Sequence, residues 1–261
     1  MLLGLCWPTA ADTAVIAASG LEYVEENVQN FLVPESPETE FRSRLAAAAK
    51  AARTIQVACC FLPGSHRCVG PEVDTARLLA WAAAAFARAQ TAGIDTVVFG
   101  SGGARGVPAG FSHATAFTQF VDLLGRMAPL AARHGVTIVI EPLNRAEVNF
   151  INTIDEGAEV VKQVDHPNVR LLADLFHMLR NGETPDALTR HGALLAHAHL
   201  AERETRSPPG TKGDDFRPFL RALRQAGYDR RLSLECRIEN LGAELGGALL
   251  ALRGQLVDAG Y

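Results

Sequence analysis

What this chain lacks narrows it first. It has no apolar run near the ~20 residues that a membrane-spanning helix needs; the longest, over residues 78–87, falls well short. It has no excess of either charge, with Lys+Arg at 25 against Asp+Glu at 29, a net charge of −4 and a sequence pI near 6.1. That balance gives no electrostatic reason to expect nucleic acid or an anionic membrane as a partner. Cysteine is scarce and odd in number: Cys6, Cys59, Cys60, Cys68 and Cys236, with no C-x-x-C spacing. These read as reduced thiols of a cytosolic protein rather than a disulfide framework or a zinc knuckle. A Cys60–Cys68 bridge is open in principle, but nothing requires it. Met1-Leu2-Leu3-Gly4-Leu5-Cys6 is too short for a signal segment and has no basic stretch before it, so a cytoplasmic location is expected. No Pro/Ser-rich linker or charge block divides the chain, and residues 1–261 are expected to form one domain.

What is present is an ordinary globular composition, 48% apolar and 21% charged. Short apolar, often β-branched runs alternate with longer helical patterns. Strands are expected over 2–6, 22–25, 55–61, 96–99, 137–140, 170–173, 194–199 and 232–235. Helices are expected over 40–53, 75–92, 114–134, 155–163, 216–225 and 243–259, where alanine and leucine recur at helical spacing. Thr153-Ile154-Asp155-Glu156 reads as a capping box, Gly93 and Gly135 stand where helices should stop, and Asp215 can cap the helix near Phe216. Such alternation predicts an α/β fold, a single (β/α)8 TIM barrel. A doubly wound sheet would use fewer strands and usually a Gly-rich turn after the first. Here Gly100-Ser101-Gly102-Gly103 follows the fourth, with no acidic residue placed for a ribose.

Active sites of barrels sit at the carboxyl ends of their strands. Strands five to eight each run into a side chain that binds divalent metals: Glu141, Asp174, His199 and Glu235. One such residue is ordinarily a turn or cap residue. Four in succession are hard to explain that way, and Glu141 before Pro142 and Glu235 before Cys236-Arg237 do not look like helix caps. Three carboxylates and an imidazole suit Mn2+, Mg2+ or Co2+ in octahedral coordination, with two positions open to substrate oxygens or water. His197, two residues before His199, points inward one layer deeper, as a core histidine or one that supports a ligand. The glycines after the fourth strand let backbone approach a ligand, although no Lys-Ser/Thr follows as in a P-loop; Arg105 could recognise a phosphate or carboxylate. Trp7 and Gly64-Ser65-His66 could line a pocket, and Glu25 or Glu26 reads as a polar contact or a cap after the second strand.

Ile140-Glu141-Pro142-Leu143-Asn144-Arg145-Ala146-Glu147, with Asn149-Phe150-Ile151-Asn152-Thr153, resembles the fifth-strand motif of the sugar isomerase/epimerase superfamily with xylose-isomerase-like TIM barrels. Leu172-Ala173-Asp174-Leu175-Phe176-His177-Met178 is similar to the sixth-strand motif. His197-Ala198-His199-Leu200-Ala201-Glu202, with Arg206 and Pro209-Gly210-Thr211-Lys212-Gly213, is similar to the seventh, and Ser233-Leu234-Glu235 to the eighth. The second half of the chain matches tightly and the first half only in layout. Within the superfamily the motifs resemble the ketose 3-epimerases (tagatose and psicose epimerases). The resemblance implies Glu141, Asp174, His199 and Glu235 as ligands of one divalent metal, Mn2+ first, with Mg2+ or Co2+ as alternatives. It implies Glu147, His177 and Arg206 as the residues that hold the O1–O3 end of a sugar. Glu147 marks the epimerase branch; its plain alternative is a solvated loop acid, and that of His177 a histidine packed under the barrel mouth. Arg203 competes with Arg206, because the segment 203–207 is one residue longer than the epimerase pattern. A homodimer or homotetramer is implied by the same resemblance.

A C–H beside a ketone is a poor acid, and a cation on the carbonyl oxygen stabilises the enediolate left by deprotonation. Inversion needs a carboxylate on each face of the carbon. Glu141 and Glu235 can take those positions, and the resemblance implies the same catalytic pair. The expected activity is metal-dependent epimerisation of a free keto-sugar at C3 through a cis-enediolate. Aldose–ketose isomerisation, as by a hydroxypyruvate isomerase, and inosose dehydration use nearly the same equipment; Glu147 favours the epimerase. An endonuclease-IV-like phosphodiesterase would need more metal ligands and a basic surface for DNA. A non-catalytic sugar-binding barrel would be expected to have lost a ligand, and all four are present.

Overall fold

Strands covered on both faces read as near-continuous apolar runs. In the computed structural model, which describes residues 1–51 and 53–261, such runs form β1 (Leu2–Cys6), β2 (Tyr23–Asn27), β3 (Thr54–Cys59), β4 (Thr96–Phe99), β5 (Thr137–Ile140), β6 (Val169–Asp174), β7 (Leu195–Leu200) and β8 (Arg231–Leu234). Each pairs in parallel with its sequence neighbours, and β1 pairs with β8 to close the ring, giving a (β/α)8 TIM barrel. Outside it lie α1 (Thr13–Ala18), α2 (Glu38–Ala48), α3 (Thr75–Ala92), α4 (Gly102–Arg105), α5 (His113–Arg133), α6 (Ile154–Val164), α7 (Leu175–Asn181), α8 (Asp186–His191), α9 (Arg217–Gln225) and α10 (Leu241–Asp258). Among the described residues no helix is long and apolar enough to cross a membrane.

Most element ends follow their local chemistry. Thr153 Oγ1 accepts the Glu156 N–H at 3.1 Å to start α6, while the Glu156 carboxylate reaches back one residue further than a regular capping box, to the Asn152 N–H. Asp215 accepts the Arg217 N–H at 3.0 Å at the start of α9. Gly93 closes α3 at φ 79, and Gly135 turns the chain out of α5 at φ 66. The helix expected over 40–53 instead starts after Pro37 and ends at Ala48; position 52 of that expectation lies outside the described residues.

The second strand departs from expectation where the site is concerned. It runs to Asn27 rather than ending at 25, with a register shift between Val24 and Glu25, so Glu25 and Glu26 lie inside it. Below Glu25, Tyr23 fills the barrel beside Val57, Cys59, Val98, Val139 and Leu172. Its hydroxyl meets Ser233 Oγ at 2.7 Å. The ring fits because β1 has glycine opposite: a Cβ on Gly4 would stand 2.2 Å from Tyr23 Cζ. The barrel floor is thus a plugged core, and the polar side chains stack above it.

Candidate active site

Glu141 follows β5, its N–H bound to Phe99 O at 3.3 Å, and Glu235 follows β8, its N–H bound to Leu200 O at 3.1 Å. Asp174 ends β6 and His199 is the penultimate residue of β7. One ligand atom from each of the four lies within 4.8 Å of the others. Glu141, Asp174 and His199 are buried, and the Glu235 side chain is 20% exposed. Gly100 makes room for this crowding, since a Cβ there would stand 2.0 Å from Glu141 Oε2. Asp174 is both a cap and a candidate ligand: Oδ1 accepts the Phe176 N–H at 2.8 Å, while buried Oδ2 has no hydrogen-bond partner among the described residues. Orphaned buried acceptors are rare because they forfeit their hydration. An orphan oxygen among three carboxylates and an imidazole fits a hard divalent cation.

The electrostatics are asymmetric. Burial pushes the Glu141 carboxyl up, and neighbouring Glu235 adds to the rise. Burial also takes Asp174 up to about 6 against the pull of Arg206. Burial alone would raise Glu235 too, but His199 and Arg206 outweigh it and hold that carboxyl down at about 2. Of the pair, Glu235 is thus the stronger acid and Glu141 the weaker.

His199 is gripped from both sides. Its Nδ1 stands 3.1 Å from Glu141 Oε1 and 3.4 Å from Glu235 Oε2, while its Nε2 lies 3.0 and 3.1 Å from the two oxygens of Glu25. Glu25 is 1% exposed, accepts from Ser233 Oγ at 2.6 Å, and also meets His197 Nε2 at 3.0 Å. Burial would raise its carboxyl, but His199 and His197 hold it well below the ordinary range. A carboxylate on Nε2 orients the ring so that Nδ1 faces the acids, the arrangement typical of metal-ligating histidines. Burial alone would lower the imidazole, but Glu25 and Glu235 hold it well above its ordinary range, so a cation at Nδ1 would displace a proton. Glu25 is thus neither after the strand nor a helix cap. The sequence signal for it was faint: an acid two residues after an inward-facing Tyr23. Glu26, its neighbour, points the other way and accepts the Thr9 N–H.

Above the cluster, Glu141, Glu147, His177, Arg206 and Glu235 line one cleft of about 310 Å3, with Gly102 and Gly103 on its β4 side. His177 Nδ1 accepts the Asn144 N–H at 3.1 Å, so the ring proton sits on Nε2, which is buried, 3.4 Å from Asp174 Oδ2 and without an aligned partner. Glu147 is 42% exposed, takes Asn144 Nδ2 at 2.8 Å and lies 3.8 Å from Arg206 Nη1. Arg206 sits at φ 55 with its guanidinium 4.7 Å from the centre of the Phe176 ring. It pairs with the Glu235 carboxylate and lies 3.7 Å from Asp174 Oδ2. Its loop is pinned by fully buried Glu202, which accepts from Ser207 Oγ at 3.1 Å and from the N–H groups of Gly210 at 2.8 Å and Gly213 at 3.0 Å. Of the two competing arginines, Arg206 enters the cleft and Arg203 is exposed outside it.

Other expected contacts fall elsewhere. Arg105 is fully buried and donates to the carbonyls of Phe99 at 3.1 Å, Glu141 at 2.7 Å and Ile151 at 3.2 Å. Its charge is spent on backbone behind Glu141, so it fastens the site rather than recognising an anion. His66 meets Glu35 at 3.1 Å and packs against Trp81, away from the cleft, whereas Gly64 lines it. Trp7 lines a second cavity of about 390 Å3 with Glu25 and Glu26. Cys60 and Cys68 are both free thiols.

A closed eight-stranded barrel with an acidic, histidine-bearing mouth defines a class, and comparison places the chain within it. The family described as xylose isomerase-like TIM barrel matches residues 13–253, and the chain belongs to that family. D-psicose 3-epimerase of Ruminiclostridium cellulolyticum is 35% identical over 116 residues, 44% of this chain and 39% of that protein. The 3-dehydro-D-guloside 4-epimerase of Escherichia coli is 31% identical over 118 residues, 45% of each chain. These matches span less than half the length of either relative. The crystal structure of D-psicose 3-epimerase with D-tagatose from Clostridium cellulolyticum H10 superposes with a TM-score of 0.83, covering 98% of this chain and 99% of that one at 21% identity, a likeness of fold.

Proposed function

We propose that the protein is a divalent-metal-dependent ketose 3-epimerase acting on a free keto-sugar. The observation that carries this reading is the pair Glu141 and Glu235: two carboxylates on different strands, set 3.1 and 3.4 Å from one imidazole nitrogen at the base of the cleft. Glu141, Asp174, His199 and Glu235 would hold the metal, with Mn2+ favoured by the oxygen-rich set and Mg2+ or Co2+ also suited. The cation, when bound, supplies Lewis acidity to the substrate's carbonyl oxygen.

The protein's own groups do the rest. Inversion at C3 needs one carboxylate ionised on one face and one protonated on the other. Glu141 and Glu235 are the two carboxylates placed for these roles, Glu235 the more acidic through His199 and Arg206, and Glu141 the less acidic through burial and Glu235. In the reverse direction the two exchange roles. Glu147, His177 and Arg206 line the cleft beside the pair and are placed to orient the O1–O3 end of the sugar, His177 through its Nε2–H.

The relatives' activities, epimerisation of D-psicose and of a 3-dehydro-D-guloside, support sugar epimerisation. The E. coli relative's name, a 4-epimerase of a 3-dehydro sugar, favours a second reading in which the carbon inverted is C4 beside a C3 ketone. The chemistry is the same, removal of a proton next to a carbonyl. The test is to incubate metal-loaded protein with psicose, fructose, tagatose and sorbose, and separately with a 3-keto-glycoside, and to resolve the products by NMR against an EDTA-treated control. Metal-dependent C3 epimers of a free ketose are expected. Turnover of the 3-keto-glycoside alone would move the assignment to the second reading, and an aldose product would move it to an isomerase.

A further inference from the structure

Three thiols gather beside the oxygen-rich cluster. Cys6 ends β1, Cys59 ends β3, and Cys60 follows at φ 56. All three are free thiols. Cys6 and Cys59 line the 390 Å3 cavity and Cys60 lines the 310 Å3 cleft. The two sulfurs of Cys6 and Cys59 and a carboxylate oxygen of Glu235 all lie within 4.8 Å of one another.

Geometry decides what such a pair of thiols can do. β2 lies between β1 and β3, which sets the two backbones about 9–10 Å apart, two inter-strand spacings. A disulfide needs Cα atoms within roughly 4.4–6.8 Å, so oxidation cannot close this pair without moving a strand. A cation can. Two metal–sulfur bonds of about 2.3 Å at a tetrahedral angle span about 3.8 Å, inside the 4.8 Å limit within which the two sulfurs lie. Sulfur donors select a softer ion than the carboxylates next door.

We propose that Cys6, Cys59 and Glu235 form a second cation site, taking a thiophilic divalent ion such as Zn2+ or Cd2+ and sharing Glu235 with the oxygen-rich cluster. Binding forms two metal–sulfur bonds and releases the two thiol protons to solvent. Because Glu235 belongs to both sets, a thiophilic ion here draws that carboxylate away from the first. The inference stands on the thiol geometry and holds whatever sugar the protein acts on.

The test is titration of the full chain with Cd2+, followed by the ultraviolet sulfur-to-cadmium charge-transfer band. One equivalent is expected to develop the band, with about two protons released per ion in weakly buffered solution. Cys6→Ser and Cys59→Ser should abolish it, Glu235→Gln should weaken Cd2+ at least about tenfold, and Cys60→Ser and Asp174→Asn should leave it in place. Circular dichroism establishes that each variant is folded, and proton release from the unsubstituted protein reads the same site if a variant is not. Absence of the band and of proton release, or a band that survives in both folded Cys6→Ser and Cys59→Ser, overturns the proposal. A band lost equally in Asp174→Asn overturns it as well, because the ion would then be sitting in the oxygen-rich cluster.

Discussion

The two halves of this barrel treat their strand ends differently. β5 to β8 end on or beside Glu141, Asp174, His199 and Glu235. β1 to β4 end on or beside Cys6, Asn27, Cys59 and Gly100, none of which joins that cluster. Yet the first half is not idle. Glu25 comes up from inside β2 to hold the far nitrogen of His199, and Gly100 after β4 leaves the space that Glu141 Oε2 fills. On the proposed reading, one half supplies the groups that react and the other supplies their orientation and room. Substitutions should therefore separate chemistry from support.

The largest effect is expected from the reacting half. Glu141→Gln and Glu235→Gln should each lower epimer formation by about 10²–10⁴-fold, the range for losing a general acid or base, with the melting temperature read alongside to exclude unfolding. Gly100→Ala attacks the room for Glu141: displacing a catalytic group by about 1 Å costs on the order of 10²-fold, so kcat/KM should fall by that order. An unchanged rate would show that the carboxylate has slack to move. Glu25→Gln removes the charge behind His199 and should weaken Mn2+ by about 10–100-fold in chelator competition. Preserved affinity would collapse the distinction between ligands and their support.

Smaller effects concern stability. Gly4→Ala drives a methyl into the Tyr23 ring and should cost about 1–3 kcal/mol in denaturant unfolding, the usual penalty of overpacking. Glu183, which accepts the Ile154 N–H at 2.8 Å, has its carboxyl pushed up to about 7 by burial, with Asp155 and Glu156 adding to the rise. A carboxyl raised on folding stabilises the fold below its unfolded value, about 4.3, and that contribution is lost as pH rises toward 7. Glu183→Gln should therefore flatten the fall in melting temperature between about pH 4 and 7. If the slope persists, other groups carry it.

Where the sequence was legible, the reason is physical. The strands expected over 96–99 and 137–140 and the helix over 75–92 have the observed bounds, because their apolar runs stop at glycine, at Glu141-Pro142 or at a capping Asp74. The four cluster residues could be placed because strand ends of a barrel converge. Glu25 could not, because a carboxylate inside a strand is tolerable only with partners such as His197 and His199, which are 172 and 174 residues away in sequence. Arg105 misleads for the opposite reason. Its partners are backbone carbonyls, which side-chain identity does not encode. Glu202 has the same blindness, with its charge satisfied by N–H groups of the loop that follows it.

The most direct test of the two-carboxylate account is C3 deuterium incorporation from D2O in each single variant, run from both members of an epimer pair, with Mn2+ occupancy verified by electron paramagnetic resonance. If Glu141 and Glu235 serve opposite faces, Glu141→Gln should wash deuterium into one epimer without inverting it, and Glu235→Gln should do so for the other. Loss of exchange from both epimers in both metal-loaded variants, or the same epimer surviving in each, would contradict the account.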